Sequence, residues 1–374
     1  MDLSPEEQVI LLLSRLNPSP EAMDAAGNIM TACGPSLDFS ELVRLANMNG
    51  VSPLLYRNLK TVKGVPEKTM DALKNAYLAT FSRNVHHSRE TVRIIRLLQQ
   101  AGIESIPVKG SLFSDMVLRD MGLYPTGDID LLVRPSDLEK TKKGLMDAGY
   151  NESIGLGEED FLESSYHLIV HNDACIIEIH WNLVVWFFEA PPDFWWEETL
   201  TMEYEGMELQ LLSPERYLLY AIFHLFTHRF RPLKWFLLIS GLADKYRVEM
   251  DWDKLLSCAE ELRMTRLTLF TLKLLHDLLG ADIPDHLAGR KIAGYSFLRK
   301  IILSGLFQGM TRSYVRLALF TTLLDTPSDT ARVLLRRIFP PASEIRLRYH
   351  LPAGSKKVWL YYLLNPVLLF LRKC

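Results

Sequence analysis

Apolar residues recur at helical spacing from Pro5 to about Gln100, as in Phe39, Leu42, Val43 and Leu45 and again Leu54, Leu55 and Leu59, with Ser14, Pro18, Pro20 and Pro35 as breaks. This pattern predicts an all-helical front end. Its last segment, Glu90 to Gln100, carries Val92, Ile94, Ile95, Leu97 and Leu98 and predicts an amphipathic helix that stops at Gly102. The period then changes. Between Ile103 and about Leu212 the short runs IESIPV, DIDLLV and ACIIEIHW alternate with two helical stretches, Ser111 to about Met121 and Ser136 to Ala148. Ser136, with Glu139 three residues on, is the expected N-cap of the second helix, and Gly122 and Gly149 fall where C-caps belong. Met207 to Leu212 reads as a last strand or edge hairpin. From Ser213 the spacing is helical to the end. The expected organisation is a helical region 1–100, an α/β or α+β core 101–212 and a helical region 213–374.

Composition narrows the class. The chain has 374 residues, 48% apolar and 23% charged, which excludes collagenous, low-complexity and largely disordered proteins and leaves room for two or three domains. Four scattered cysteines without a C-x-x-C pair indicate neither a disulfide framework nor a cysteine zinc site, so a reducing, cytoplasmic setting is expected. The opening MDLSPEEQVILLLSRL lacks a basic start and a small-residue cleavage site, so no secretory leader is expected. Val358 to Leu371, the longest apolar run, is interrupted by Asn365 and Pro366, so no spanning helix is expected either.

Charge adds a second feature. The net charge is −3, yet residues 290–374 hold 15 Lys and Arg against Asp325, Asp329 and Glu344, a balance of +12 that leaves −15 on the rest. The final KKVWLYYLLNPVLLFLRKC is apolar and framed by Lys356, Lys357, Arg372 and Lys373. It reads first as a final helix buried against the helical region, and it is also compatible with peripheral contact with an anionic partner, a membrane ahead of RNA.

The candidate chemistry lies in Val108-Lys109-Gly110-Ser111 and Gly127-Asp128-Ile129-Asp130-Leu131-Leu132-Val133. On a strand, Asp128 and Asp130 project to one side while Ile129, Leu131 and Val133 enter the core. Two crowded carboxylates repel unless cations sit among them, and carboxylate oxygens are the hard ligands that Mg2+ (or Mn2+) prefers. ACIIEIHW supplies a third acid, Glu178, in an apolar run, with His180 on the same face. Gly110 and Ser111 stand between a strand and a helix, where a bare backbone and free N–H groups hold phosphate oxygens, and Lys109 adds positive charge.

At these residues the chain resembles the polymerase-beta-like nucleotidyltransferase superfamily, and more closely its uncharacterised bacterial and archaeal nucleotidyltransferase family, with K-G, D-I-D-L-L-V and a later acid-x-H-W. The motifs cover roughly residues 100–185, and helical flanks such as LVRLANMNGVSPLLY also occur in that family. The resemblance implies an α+β fold, in which a small mixed β-sheet nucleotidyltransferase core is flanked by N-terminal and C-terminal helical regions. It implies transfer of an NMP group from an NTP to an acceptor hydroxyl with release of pyrophosphate. It also implies a triphosphate at Lys109, Gly110 and Ser111, and two Mg2+ ions at Asp128, Asp130 and Glu178. Where the family tends to carry an arginine shortly before the first aspartate, this chain has Tyr124, with Arg119 and Arg134 as nearby replacements.

Two histidine pairs, His167 with His171 and His224 with His228, have the spacing that places both on one helix face, but without the Glu of H-E-x-x-H they read as core or cleft histidines. His224, His228, Arg229 and Arg231 read first as part of a surface helix, and are also candidates for facing a nucleotide or acceptor across the cleft. The competing function is a non-catalytic nucleotide-binding or scaffold protein of the same fold. Nucleic-acid binding, which rests only on the basic quarter, ranks lowest.

Overall fold

The computed structural model describes residues 3–152, 167–184, 188, 190–309, 319–349, 351–352 and 354–371. The front end is helical as expected: α1 (Pro5–Leu13), α2 (Pro20–Cys33), α3 (Phe39–Met48), α4 (Ser52–Leu59) and α5 (Glu67–Gln100). The helix expected from Glu90 is the last part of α5. The buried positions of its earlier turns are mostly polar, Thr69, Thr80, Asn84, His87 and Ser88, so the apolar period fades there although the helix continues.

The central region then runs β1 (Ser105–Pro107), α6 (Ser111–Met116), β2 (Ile129–Val133), α7 (Leu138–Asp147), β3 (Asn151–Glu152), β4 (His167–His171) and β5 (Ile176–His180). These strands form one sheet in the order β1-β2-β5-β4-β3, in which β2 and β5 are parallel and the other pairs antiparallel. The fold is therefore α+β with a small mixed sheet. A separate hairpin joins β6 (Leu200–Tyr204) to β7 (Met207–Leu211) through Glu205 and Gly206, both at positive φ, the conformation that two-residue hairpins need. The sequence reading reached only β7.

Several boundaries differ from expectation. The α6 helix ends at Met116 rather than near Met121, and the chain beyond it turns through Arg119 at φ 55°. Pro135 starts a short 3₁₀ turn, which moves the N-cap of α7 from Ser136 to Asp137. His167 and His171 lie on a strand, not a helix. They still share a face, because Leu168 and Val170 between them point into the core.

After the hairpin come α8 (Pro214–Thr227), whose first turn is capped by Ser213 as expected, and α9 (Lys234–Lys245), followed by seven further described helices ending with Val358–Leu371. Every residue of β2 is buried because the sheet is covered on both faces. Ile129, Leu131 and Val133 pack with Val92, Ile95 and Leu98 of α5 and with Leu138 and Leu145 of α7. Leu132 joins Ile106, Val108, Phe113 and Tyr124 in the cluster that holds the apolar faces of α8 and α9. Asp130 alternates with Ile129 and Leu131, so it emerges on the α8/α9 side.

Candidate functional site

The parallel pairing of β2 and β5 sets Asp130 opposite Glu178 and Leu132 opposite His180, which brings the two carboxylates side by side on one face. Asp128 immediately precedes β2 and leans to the same side: Lys109 Nζ lies 2.9 Å from Asp130 Oδ1 and 3.4 Å from Asp128 Oδ2. His180 Nε2 is 3.0 Å from Asp130 Oδ1 and 3.4 Å from Glu178 Oε2. Asp130 is fully buried, whereas the side chains of Asp128 and Glu178 are 32% and 23% exposed. Glu178 is thus partly exposed and not within the core.

Electrostatics follow from this packing. Burial alone would lower the Lys109 pKa, but Asp130, Asp128 and Glu178 raise it, so the ammonium stays charged. The same opposition raises His180: burial disfavours its cation, and the hydrogen bonds to Asp130 and Glu178 outweigh burial. Burial would raise Glu178, yet the His180 hydrogen bond and the Lys109 charge bring it down to about 2.

Gly110 sits at φ 96° and ψ −149°, a conformation essentially reserved for glycine, and a Cβ there would stand 3.4 Å from the Asp128 carbonyl oxygen. Ser111 opens α6, and its Oγ is buried without a hydrogen-bond partner among the described residues. Lys109 and Gly110 therefore stand beside the acids, and Ser111 follows them at the start of α6.

Three residues that sequence reasoning missed hold this arrangement. Asn84 of α5, fully buried, donates to the carbonyls of Met121 and Tyr124 (2.7 Å each) and accepts from Thr126 Oγ1 at 2.6 Å, which pins the segment leading to Asp128. Lys234, at the start of α9, donates from Nζ to the Pro125 carbonyl at 2.8 Å and lies over the rings of Trp235 and Tyr124. Burial pushes its pKa down to about 8, with the Lys109 charge helping and Asp128 opposing. Asn49 fastens α9 in place: its carbonyl accepts from Lys234 N (3.0 Å) and its Oδ1 from Leu233 N (3.3 Å). Gly50, at φ 66°, leaves room for the Lys234 stem, which a Cβ would meet at 2.9 Å. The signals were present: a polar residue on the inner face of α5, and the N-G of LVRLANMNGVSPLLY.

Other candidates resolve differently. Tyr124 is buried with its ring edge-on to Phe113 and Trp235. Arg134 follows the far end of β2 and pairs with Glu104 and Asp193, while Arg119 is exposed beyond α6, so neither stands with the acids. Cationic Lys234 is the side chain that reaches the segment before Asp128. The rings of His224 and His228 pack against each other and against Trp235. Burial and the Lys109 and His228 charges push His224 well below the usual range. Arg231 lies 3.8 Å from where a Cβ on Gly309 would stand.

Ligand atoms of Asp130, Glu178 and His180 lie within 4.8 Å of one another, a grouping suited to a cation. Asp130 Oδ2 is buried with no hydrogen-bond partner among the described residues, and two carboxylates form a hard donor set. The residues fit a divalent ion, with Asp128 at the edge of the set, linked to it through Lys109.

Residues 35–280 match the family described as uncharacterised nucleotidyltransferase, about two thirds of the chain. No curated protein and no solved structure matches the chain.

Proposed function

Since the chain belongs to the uncharacterised nucleotidyltransferase family, we propose that it transfers an NMP group from an NTP to an acceptor hydroxyl, with pyrophosphate leaving, in the cleft between the sheet and α8/α9. The observation that carries this reading is the register pairing of Asp130 with Glu178, together with a buried Asp130 Oδ2 left without a partner. Asp128, Asp130 and Glu178 hold the divalent cation, Mg2+ (or Mn2+), with His180 beside them. When bound, such an ion neutralises phosphate charge and lowers the pKa of a hydroxyl it contacts. Lys109 offsets the repulsion among the acids and holds them close together, and Gly110 and Ser111 offer backbone and hydroxyl donors to the triphosphate. Lys234, held over Trp235 and bonded to the Pro125 carbonyl, adds positive charge beside the segment that leads to Asp128. Catalysis by so few side chains rests on positioning and on charge placed before the reaction begins.

A second reading has its own support. Lys109 and His180 already neutralise part of the acidic cluster from within, which suits a nucleotide-binding or scaffold protein that performs no transfer. Pyrophosphate release separates the two. The protein is mixed with Mg2+, each NTP in turn and a panel of hydroxyl-bearing acceptors. Transfer predicts release with at least one NTP, reduced about a hundredfold or more in Asp130→Asn. Nucleotide binding without release under every combination would favour the scaffold.

A further inference from the structure

The helix Val358–Leu371 is inverted with respect to a water-soluble helix. Its one side chain of strong polarity, Asn365, is fully buried. The Asn365 Nδ2 donates to the carbonyls of Ile338 (2.6 Å) and Arg337 (3.3 Å), and its Oδ1 accepts from Arg348 Nη1 (2.9 Å) and Tyr349 Oη (2.8 Å). Tyr361 stacks on Tyr349 with ring centroids 4.5 Å apart, and Val358 is buried on the same side. These contacts tie the helix to the helices Pro327–Ile338 and Ala342–Arg348.

The opposite face is apolar and open. Trp359 is 77% and Leu363 78% exposed, and Leu360, Leu364 and Val367 are exposed as well. At about 100° per residue these five positions share one continuous arc, with Asn365, Tyr361 and Val358 on the other side. Phe339, next to the Ile338 carbonyl that Asn365 holds, is exposed too. A face of this size that water does not favour marks an interaction surface.

From this geometry we propose that the outer face of Val358–Leu371 docks on an anionic lipid bilayer. Charge complementarity selects the occupant: Lys356 and Lys357 are exposed at the helix start and Arg337 is exposed nearby, all within the segment that carries +12. The helix cannot span. Its fourteen residues measure about 21 Å, short of a hydrocarbon core of about 30 Å, and among the described residues no helix is long and apolar enough to cross. It therefore lies in the interface, with Leu363 and its neighbours in the acyl region and the lysines at the headgroups. This surface falls outside residues 35–280, so it does not depend on the transfer reaction.

The test is cosedimentation of the full chain with vesicles of phosphatidylcholine alone and of an equal mixture of phosphatidylcholine and phosphatidylglycerol, at low and high salt. Binding is expected to the mixed vesicles at low salt and to weaken as salt rises. Lys356→Gln and Lys357→Gln should each weaken partitioning about fivefold. Leu363→Glu combined with Val367→Glu should abolish it while leaving the thermal melting curve unchanged, because both side chains are already exposed. Three results would overturn the proposal: wild-type protein staying in the supernatant of the mixed vesicles, undiminished binding by the double variant, or retention on single-stranded RNA in place of vesicles. A dimer in light scattering that the double variant dissolves would assign the face to a second copy and overturn it equally.

Discussion

Asn84 is a fully buried polar side chain more than forty residues before the acids it helps to place, and replacing it isolates its contribution. In Asn84→Ala the Tyr124 carbonyl, in the core, loses its donor, and the partly buried Met121 carbonyl loses one that water can partly replace. Thr126 Oγ1 loses its acceptor but keeps His87 Nδ1 at 3.3 Å. A buried polar group left unpaired costs about 1–3 kcal/mol, so the sum should be about 2–4 kcal/mol of stability. Asn84→Asp keeps the acceptor for Thr126 but turns a carboxylate toward two carbonyl oxygens, so it should cost at least as much as alanine. Urea unfolding followed by circular dichroism, with an unchanged denaturant slope, measures both. Nucleotide affinity should fall in parallel, since the released segment carries Asp128. An Asn84→Ala loss below about 0.5 kcal/mol, the range of neutral surface changes, or an Asn84→Asp variant as stable as wild type, would refute the argument.

Three further outcomes follow from the site. Lys109→Met leaves Asp130 buried without its 2.9 Å ion pair and should destabilise the metal-free protein by about 3–5 kcal/mol; Mg2+ should then raise the melting midpoint more in the variant than in wild type, and equal rises would contradict the placement of Lys109 among the acids. Gly110→Ala forces a side chain into a glycine-only conformation against the Asp128 carbonyl and should cost about 1–3 kcal/mol, read by thermal melting, with weaker triphosphate binding in calorimetry. Lys234, held down to about 8 when folded, binds fewer protons in the folded chain than in the unfolded chain as pH climbs from that value toward the ordinary lysine range. Stability should therefore gain with pH across this window, and Lys234→Met should remove that gain; identical pH profiles in denaturant titrations would show that Lys234 is not desolvated.

The local strand chemistry was legible because it is repetitive: alternation in DIDLLV and ACIIEIHW sets side-chain faces, and a parallel register then brings Asp130 to Glu178. The register itself was not legible, since it depends on which strands become neighbours, and β1 and β5 both flank β2. The early turns of α5 were hidden because Asn84 turns inward to loop carbonyls and Ser88 to the Tyr204 hydroxyl, and Thr80 is buried beside them, so polar residues stand where a helical stripe predicts apolar ones. The histidines of β4 fell to a spacing that strands and helices share. Lys234 and Asn49 lie far apart in the chain, and only packing joins them. At the C-terminal end, the sequence showed an apolar run with one asparagine but not which way the asparagine faced, and that orientation decides between a core helix and a docking one.

In the proposed site Asp130 and Glu178, with Asp128 at the edge, hold a divalent cation together with a nucleotide. Electron paramagnetic resonance of free Mn2+ measures this without turnover, by titrating Mn2+ into the protein in the presence of a non-hydrolysable NTP and correcting for Mn2+ bound by the nucleotide alone. Wild-type protein should remove Mn2+ from solution in the ternary complex, and Asp130→Asn and Glu178→Gln should each weaken this uptake by about tenfold or more while remaining folded. Mn2+ uptake by both folded variants equal to that of wild type would contradict it.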